Sequence, residues 1–340
     1  MVFPEFAKVA RIVVNEMLDV EPGEDVVILI DPRTPHEIGQ FLREAAMAAD
    51  ARTTLIELPR PPLNEDYGFA SLPPDPACAA IKEADAIINL SLGYSGPLVE
   101  AIGPPPKARG IYIGVGPEVD ESLVRTVTET DLKKLREDVD KVKDLWETAD
   151  TVRITSELGT HVTLDTRGVR GIPAHGFTRP EGPRYAWLPP GLCSIIDTVP
   201  MDGIIALNGI FWAGDIHGIP SEPIRMKVEN NLITDVKGDQ TLWPQLKRYL
   251  DSFKDPKVYS IPAHIGIGLN PNASLKKSAE CERYRGSVLF GVADNSVLCR
   301  LLDLNPRKMV KAAVHWDCQV IGATMYMGDT LVIDQGKVAI

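Results

Sequence analysis

Short apolar runs of strand length alternate with helix-length stretches over the first third of the chain, and this alternation constrains the fold more than any other feature. Strand signals fall at residues 26–31, 53–58, 86–91 and 110–115, and helical ones at 6–18, 35–48, 77–83 and 97–102. Runs that are apolar throughout suit strands covered on both faces, and the helices between them supply the cover. The pattern therefore predicts an α/β unit with a parallel sheet and flanking helices. No Gly-x-Gly-x-x-Gly follows any of these strands and no P-loop is present, so nucleotide binding has no support there. Gly266 and Gly268 give only Gly-x-Gly, in the other half of the chain.

A charged helix at 133–148, with apolar positions Leu135, Val139, Val142 and Leu145, bridges to a second half of different character. Segments 152–157 and 161–165 flank Leu158-Gly159 as a hairpin, and 203–208 and 223–229, the latter followed by Asn230-Asn231, are further strands. One helix is expected at 240–253, and strands at 286–292, 310–319 and 330–333 close the chain. The second half is thus a mainly antiparallel α+β unit. A chain of 340 residues exceeds the roughly 250–300 at which one core stops growing, and the expected division is 1–150 and 151–340. Proline-rich stretches at 59–76 and 103–106 are expected as loops of the first unit, and 178–191 as the long loop of the second.

A net charge of −11 without a Lys/Arg cluster argues against a nucleic-acid surface. No apolar run approaches the roughly 20 residues needed to span a bilayer, and the first residues carry no secretory signal, so a cytoplasmic protein without a membrane partner is expected. Five scattered cysteines without a Cys-x-x-Cys fit reduced thiols.

Chemistry concentrates at His315-Trp316-Asp317, set in an apolar run. Residues i and i+2 of a strand share a face, so this imidazole and carboxylate converge. One further His would complete a two-His, one-carboxylate face, the set that leaves non-haem Fe(II) with open positions. His264, in an apolar stretch just before a glycine-rich turn, is the best donor. The same spacing also suits a buried His–Asp hydrogen-bonded pair without metal. His175, at the start of the 178–191 loop, is a candidate acid or base. That loop carries Arg179, Arg184, Tyr185 and Trp187, a mix that suits a planar anionic ligand, or equally a loop pinned down by its aromatics. Serine, cysteine and His-Glu-x-x-His metallopeptidase signatures are absent. In 2-oxoglutarate oxygenases the distal His follows the His-x-Asp pair, whereas His264 precedes it.

The segment from Asp255 through His264 to Ala273, the stretch Arg285-Gly-Ser-Val-Leu-Phe-Gly291 and the run Val314-His-Trp-Asp317 resemble the 2,5-dihydroxypyridine 5,6-dioxygenases. Trp187-Leu-Pro-Pro-Gly191 is similar to that family's Trp-Pro-Ser-Gly turn. The resemblance implies Fe(II) at His264, His315 and Asp317, a small aromatic substrate with O2, and a homo-oligomer. The parent superfamily, the aminopeptidase T-like metallopeptidases, holds two metals with extra carboxylates and a further His. Here Leu192 and Leu289 stand at two of those ligand positions, which implies one metal and oxygen chemistry. Ala174 and Trp187, with Ser95 or Tyr94, stand where the pyridine dioxygenases place additional His and Glu residues, so the resemblance implies a related ring substrate, such as 2,5-dihydroxypyridine, without fixing it as the same one. His175 or Tyr185 would then move protons and Arg179 or Arg184 would orient the substrate. The reading is a mononuclear Fe(II) ring-cleaving dioxygenase acting on a hydroxylated aromatic or N-heteroaromatic. The alternative is a metal-dependent aminopeptidase or amide hydrolase on the same fold.

Overall fold

A computed structural model describes residues 4–32, 34–59, 74–91, 108–113, 119–178, 184–213, 216–276, 280–302, 304–306 and 308–340. Strands β1 (Asp25–Ile30), β2 (Arg52–Glu57), β3 (Ala86–Leu90) and β4 (Arg109–Ile113) pair in parallel in the order β2-β1-β3-β4. Helices α1 (Phe6–Ile12), α2 (His36–Ala48) and α3 (Asp75–Glu83) accompany them. Every residue of β3 is buried, because one core lies on each side of the sheet. Val26, Ile28 and Ile30 meet α1 and α2 on one side, and Val27 and Leu29 meet α3 on the other. The expected helix at 97–102 and most of the two proline-rich loops lie outside the described residues.

The 178–191 segment departs from expectation. Tyr185–Leu188 is not loop but a strand, here β8, and it adds to β4 in parallel as the fifth strand of the first sheet. The chain thus returns to the first sheet well after residue 150. Its neighbour is far away in sequence, and the proline- and arginine-rich flanks mask a short strand whose stability comes from that pairing.

The second half forms two antiparallel sheets. One runs β14-β13-β10-β6-β5-β18-β19-β20, built from β5 (Thr151–Ser156), β6 (His161–Asp165), β10 (Met201–Leu207), β13 (Ile224–Glu229), β14 (Leu232–Lys237), β18 (Ala323–Met327), β19 (Thr330–Asp334) and β20 (Lys337–Val338). The other runs β12-β11-β17-β16-β15-β9-β7, built from β7 (Gly171–Ala174), β9 (Leu192–Ile195), β11 (Phe211–Ala213), β12 (Ile216–Gly218), β15 (His264–Gly268), β16 (Val288–Ala293) and β17 (His315–Val320). Their inner faces share one core with Leu135, Val139, Val142 and Trp146 of the charged helix Leu132–Thr148, which therefore packs into the second half. Asn230 and Asn231 both take positive φ in the β13–β14 turn, as a tight hairpin needs.

Period-two alternation sorts the seven-stranded sheet. Ile265, Ile267, Phe290, Val292, Trp316 and Cys318 point into the shared core. Trp316 also donates Nε1–H to the Val258 carbonyl at 2.9 Å. Their neighbours His264, Gly291, His315 and Asp317 therefore point out of the opposite face. The glycines after His264 do not form the expected turn. They lie inside β15, where a Cβ on Gly266 would come within 2.9 Å of Leu192 and one on Gly268 within 2.2 Å of the Tyr284 carbonyl oxygen.

Candidate metal centre

Three adjacent strands bring the donors together. His264 on β15 is registered with Gly291 on β16, and Gly291 with Asp317 on β17. Because Gly291 has no side chain, the His264 imidazole lies across the middle strand. A Cβ at 291 would sit 2.2 Å from its Cδ2 and 2.4 Å from its Nε2. His264 Nε2 is 2.9 Å from Asp317 Oδ1, His315 Nε2 is 3.4 Å from Asp317 Oδ2, and the two Nε2 atoms are 3.2 Å apart. The rings stack with centroids 5.1 Å apart. One ligand atom from each residue lies within 4.8 Å of the other two, and among the described residues no other group of three His, Cys, Asp or Glu does this.

The backbone around the trio orients both imidazoles. Ala293 takes a left-handed φ of 75°, an unfavourable conformation for a residue with a Cβ. The next carbonyl, that of Asp294, then accepts from His315 Nδ1 at 2.5 Å. In the neutral ring this fixes the tautomer and turns the Nε2 lone pair toward Asp317 and His264. The Asp294 side chain accepts from the Ser296 hydroxyl and the Ala312 amide. Asn295 bonds the Ala263 carbonyl beside His264 and the Val310 amide. Two consecutive residues thus tie both histidine-bearing strands to one turn.

Electrostatics agree with a cation site. Burial disfavours the charged form of His315, but the Asp317 carboxylate outweighs it and the imidazole is pushed up to about 9. Burial alone would raise Asp317, yet the two histidines hold it well below the ordinary carboxylate range. Asp317 Oδ1, despite its 2.9 Å approach to His264, makes no properly angled hydrogen bond. His264 Nδ1 is buried without a partner. Donor atoms packed this closely, with a buried carboxylate oxygen left unbonded, suit a shared positive ion.

The trio opens into a cavity of about 180 Å³ whose wall includes Ile172, Ala174, Trp187, Leu192 and Leu298, with Ser194, Glu282 and Arg283 as its other polar groups. Ala174, Leu192, Leu289 and Trp187 form one apolar cluster beside the trio, so no second set of donors is present at Leu192 and Leu289.

Of the other sequence-derived candidates, Trp187 reaches the cavity wall. His175 and Tyr185 do not. Ala174 ends β7 facing the cavity, so the next side chain turns away. His175 lies 3.9 Å from Asp140 and accepts the Phe177 amide at 3.1 Å. Tyr185 lies over Gly110 of the neighbouring strand, and burial pushes its phenol far above the usual range. Arg184 is exposed and its carbonyl accepts the Gly110 amide at 2.8 Å. Arg179, Tyr94 and Ser95 lie outside the described residues. Sequence reasoning missed Gly291, Ser194, Glu282, Arg283 and Leu298. Gly291 falls in a quoted motif, but only strand register exposes its role.

A family model described as 2,5-dihydroxypyridine 5,6-dioxygenase matches residues 10–340. The chain belongs to that family. It is accordingly a ring-cleaving dioxygenase, an oxidoreductase. The fold is similar to that of the 2,5-dihydroxypyridine dioxygenase from Pseudomonas putida KT2440, with a TM-score of 0.76, 18% identity, and 98% of this chain and 96% of that one covered. It is also similar to AmpT from Thermus thermophilus, with a TM-score of 0.66, 14% identity and 99% of each chain covered. A search of curated proteins by sequence finds no match. The dioxygenase therefore shares an aminopeptidase T-like architecture, a parallel sheet with helices followed by antiparallel sheets. No helix among its described residues is long and apolar enough to cross a membrane.

Proposed function

We propose that the dioxygenase holds a single Fe(II) on His264, His315 and Asp317 and cleaves a monocyclic hydroxylated aromatic or N-heteroaromatic, with 2,5-dihydroxypyridine as the leading candidate. The observation that carries this reading is the convergence of two imidazoles and one carboxylate on one buried sheet face, with one side open to a cavity. Two neutral nitrogen donors and one anionic oxygen are the donor set of non-haem Fe(II) oxygenases. When bound, the ion supplies joint activation of O2 and of the ring hydroxyl. The chain's own residues supply the rest. Asp317 offsets the cation's charge, Asp294 holds His315 with its lone pair inward, and the apolar wall excludes water. The Trp187 ring, on the wall of a cavity of about 180 Å³, offers a face for stacking. A cytoplasmic homo-oligomer of two units dividing near residue 150 completes the proposal, with the helix Leu132–Thr148 packed into the second unit and the strand Tyr185–Leu188 returning to the sheet of the first.

The test is oxygen uptake by protein loaded anaerobically with Fe(II), coupled to loss of ring absorbance across dihydroxypyridines and hydroxyarenes. Uptake at one O2 per ring supports the reading. Amide hydrolysis under nitrogen with Zn or Mn, and no oxygen uptake, would replace it with the hydrolase.

A further inference from the structure

We propose that Glu282 and Arg283 form a subsite that reads the lactam edge of a 2-pyridone, the adjacent N–H and C=O, and so set specificity for N-heteroaromatic over carbocyclic rings. The inference rests on the ring-cleaving reading above and concerns what the same cavity selects. Both residues sit on one short 3-10 turn, Cys281–Arg283, and both line the cavity onto which His264, His315 and Asp317 open. Arg283 is only 9% exposed, an uncommon situation for a charged residue. Its Nε donates to the Pro189 carbonyl at 3.0 Å, two residues along from the cavity-lining Trp187. Its Nη1 donates to Glu282 Oε2. Among the described residues this leaves Nη2 of Arg283 without an acceptor and Oε1 of Glu282 without a donor.

A donor and an acceptor side by side, on a wall otherwise mostly apolar, match an edge that offers an acceptor and a donor side by side. The pyridone form of a 2-hydroxypyridine has such an edge. Glu282 accepts from its ring N–H, Arg283 donates to its carbonyl, and the ring's far hydroxyl points toward the His/His/Asp group. Hydroquinones and catechols present C–H where Glu282 needs a donor, so a charged group would be desolvated unpaired. A ring carboxylate gains little, because Glu282 already neutralises Arg283 and would face the second anion.

The experiment is calorimetric binding to the metal-loaded protein without oxygen, so that no ring is cleaved. The probes are 5-hydroxy-2-pyridone, its N-methyl derivative and hydroquinone. The pyridone should bind about 10- to 100-fold more tightly than hydroquinone, and N-methylation should erase the difference. Glu282→Gln should narrow the gap by weakening the pyridone and relieving the penalty on hydroquinone, and Arg283→Lys should narrow it chiefly by weakening the pyridone. Equal affinity of wild-type protein for pyridone and hydroquinone, or equal weakening of both by Glu282→Gln, overturns the assignment. The N-methyl comparison uses unmutated protein, so a variant that fails to fold does not decide the matter. Oxygen uptake tests the dioxygenase reading separately, and its failure would leave these affinities interpretable.

Discussion

Replacing Gly291 with Ala tests the geometry of the trio without touching a ligand. The added Cβ would start 2.2 Å from His264 Cδ2 and 2.4 Å from the Nε2 that faces Asp317. Ordinary carbon contacts begin near roughly 3.5 Å, so the ring must retreat by more than about 1 Å. It cannot retreat freely, because His315 stacks on it at 5.1 Å and its strand is hydrogen-bonded on both sides. Metal–ligand distances tolerate only about 0.2 Å of error, so a displacement of this size removes the ligand in effect. The expected result is metal affinity reduced by more than the roughly 10- to 100-fold that loss of an outer-shell partner costs. The cost in stability should be smaller, about 1–3 kcal/mol for an overpacked site. Anaerobic metal titration beside a thermal melt separates the two quantities. Wild-type affinity and turnover in Gly291→Ala would refute the claim that His264 reaches its position across a missing side chain.

Asp317→Asn keeps the shape of the carboxylate but removes its charge, and metal content by mass spectrometry should fall at least tenfold, roughly the scale of a perturbed metal shell. His175→Ala should leave kcat/KM within about twofold, since the ring faces Asp140 rather than the cavity; a larger fall would place it at the chemistry after all. Trp187→Ala should raise KM through lost stacking worth about 0.5–1.5 kcal/mol, read in steady-state kinetics. Asp239 accepts from the Leu242 and Thr241 amides and from the Ser221 amide and hydroxyl, and these bonds, led by Leu242, hold its carboxyl well below its usual value of 3.8. A depressed folded-state pKa gives stability that is present above the unfolded value and lost as pH falls below it. Asp239→Asn should therefore lower the melting temperature near neutrality, by about 1 kcal/mol of lost capping, and flatten its decline below pH 4, whereas parallel declines would contradict the sign.

Much of the fold was legible because it is written in local periodicity. The strands of the first sheet are short apolar runs between helix-length stretches, and those of the β5–β6 hairpin alternate apolar and polar residues as a half-buried strand does. The pair His315 and Asp317 was legible for the same reason, since a spacing of two on a strand guarantees a common face. What stayed hidden depends on register between distant segments. Tyr185–Leu188 becomes a strand only because Arg109–Ile113 offers it an edge. Gly291 matters only because it lies between His264 and Asp317. The placement of His175 depends on the same thing: it sits one residue beyond Ala174, and a shift of one residue at a strand end reverses the face.

The fold is shared with AmpT as well as with a dioxygenase, so architecture alone does not choose between hydrolysis and oxygen chemistry. The difference must lie in side chains on one sheet face. A two-metal clamp needs additional anionic or imidazole donors within a few ångströms of the first set. Here that neighbourhood is filled by Ala174, Leu192, Leu289 and Trp187, packed against one another. Such a wall repels a second cation and accommodates an aromatic ring. Adding donors there, with Leu192→Glu and Leu289→His together, should therefore raise metal stoichiometry from one toward two while weakening ring binding. If stoichiometry stays at one and ring affinity is unchanged, these positions do not control the choice.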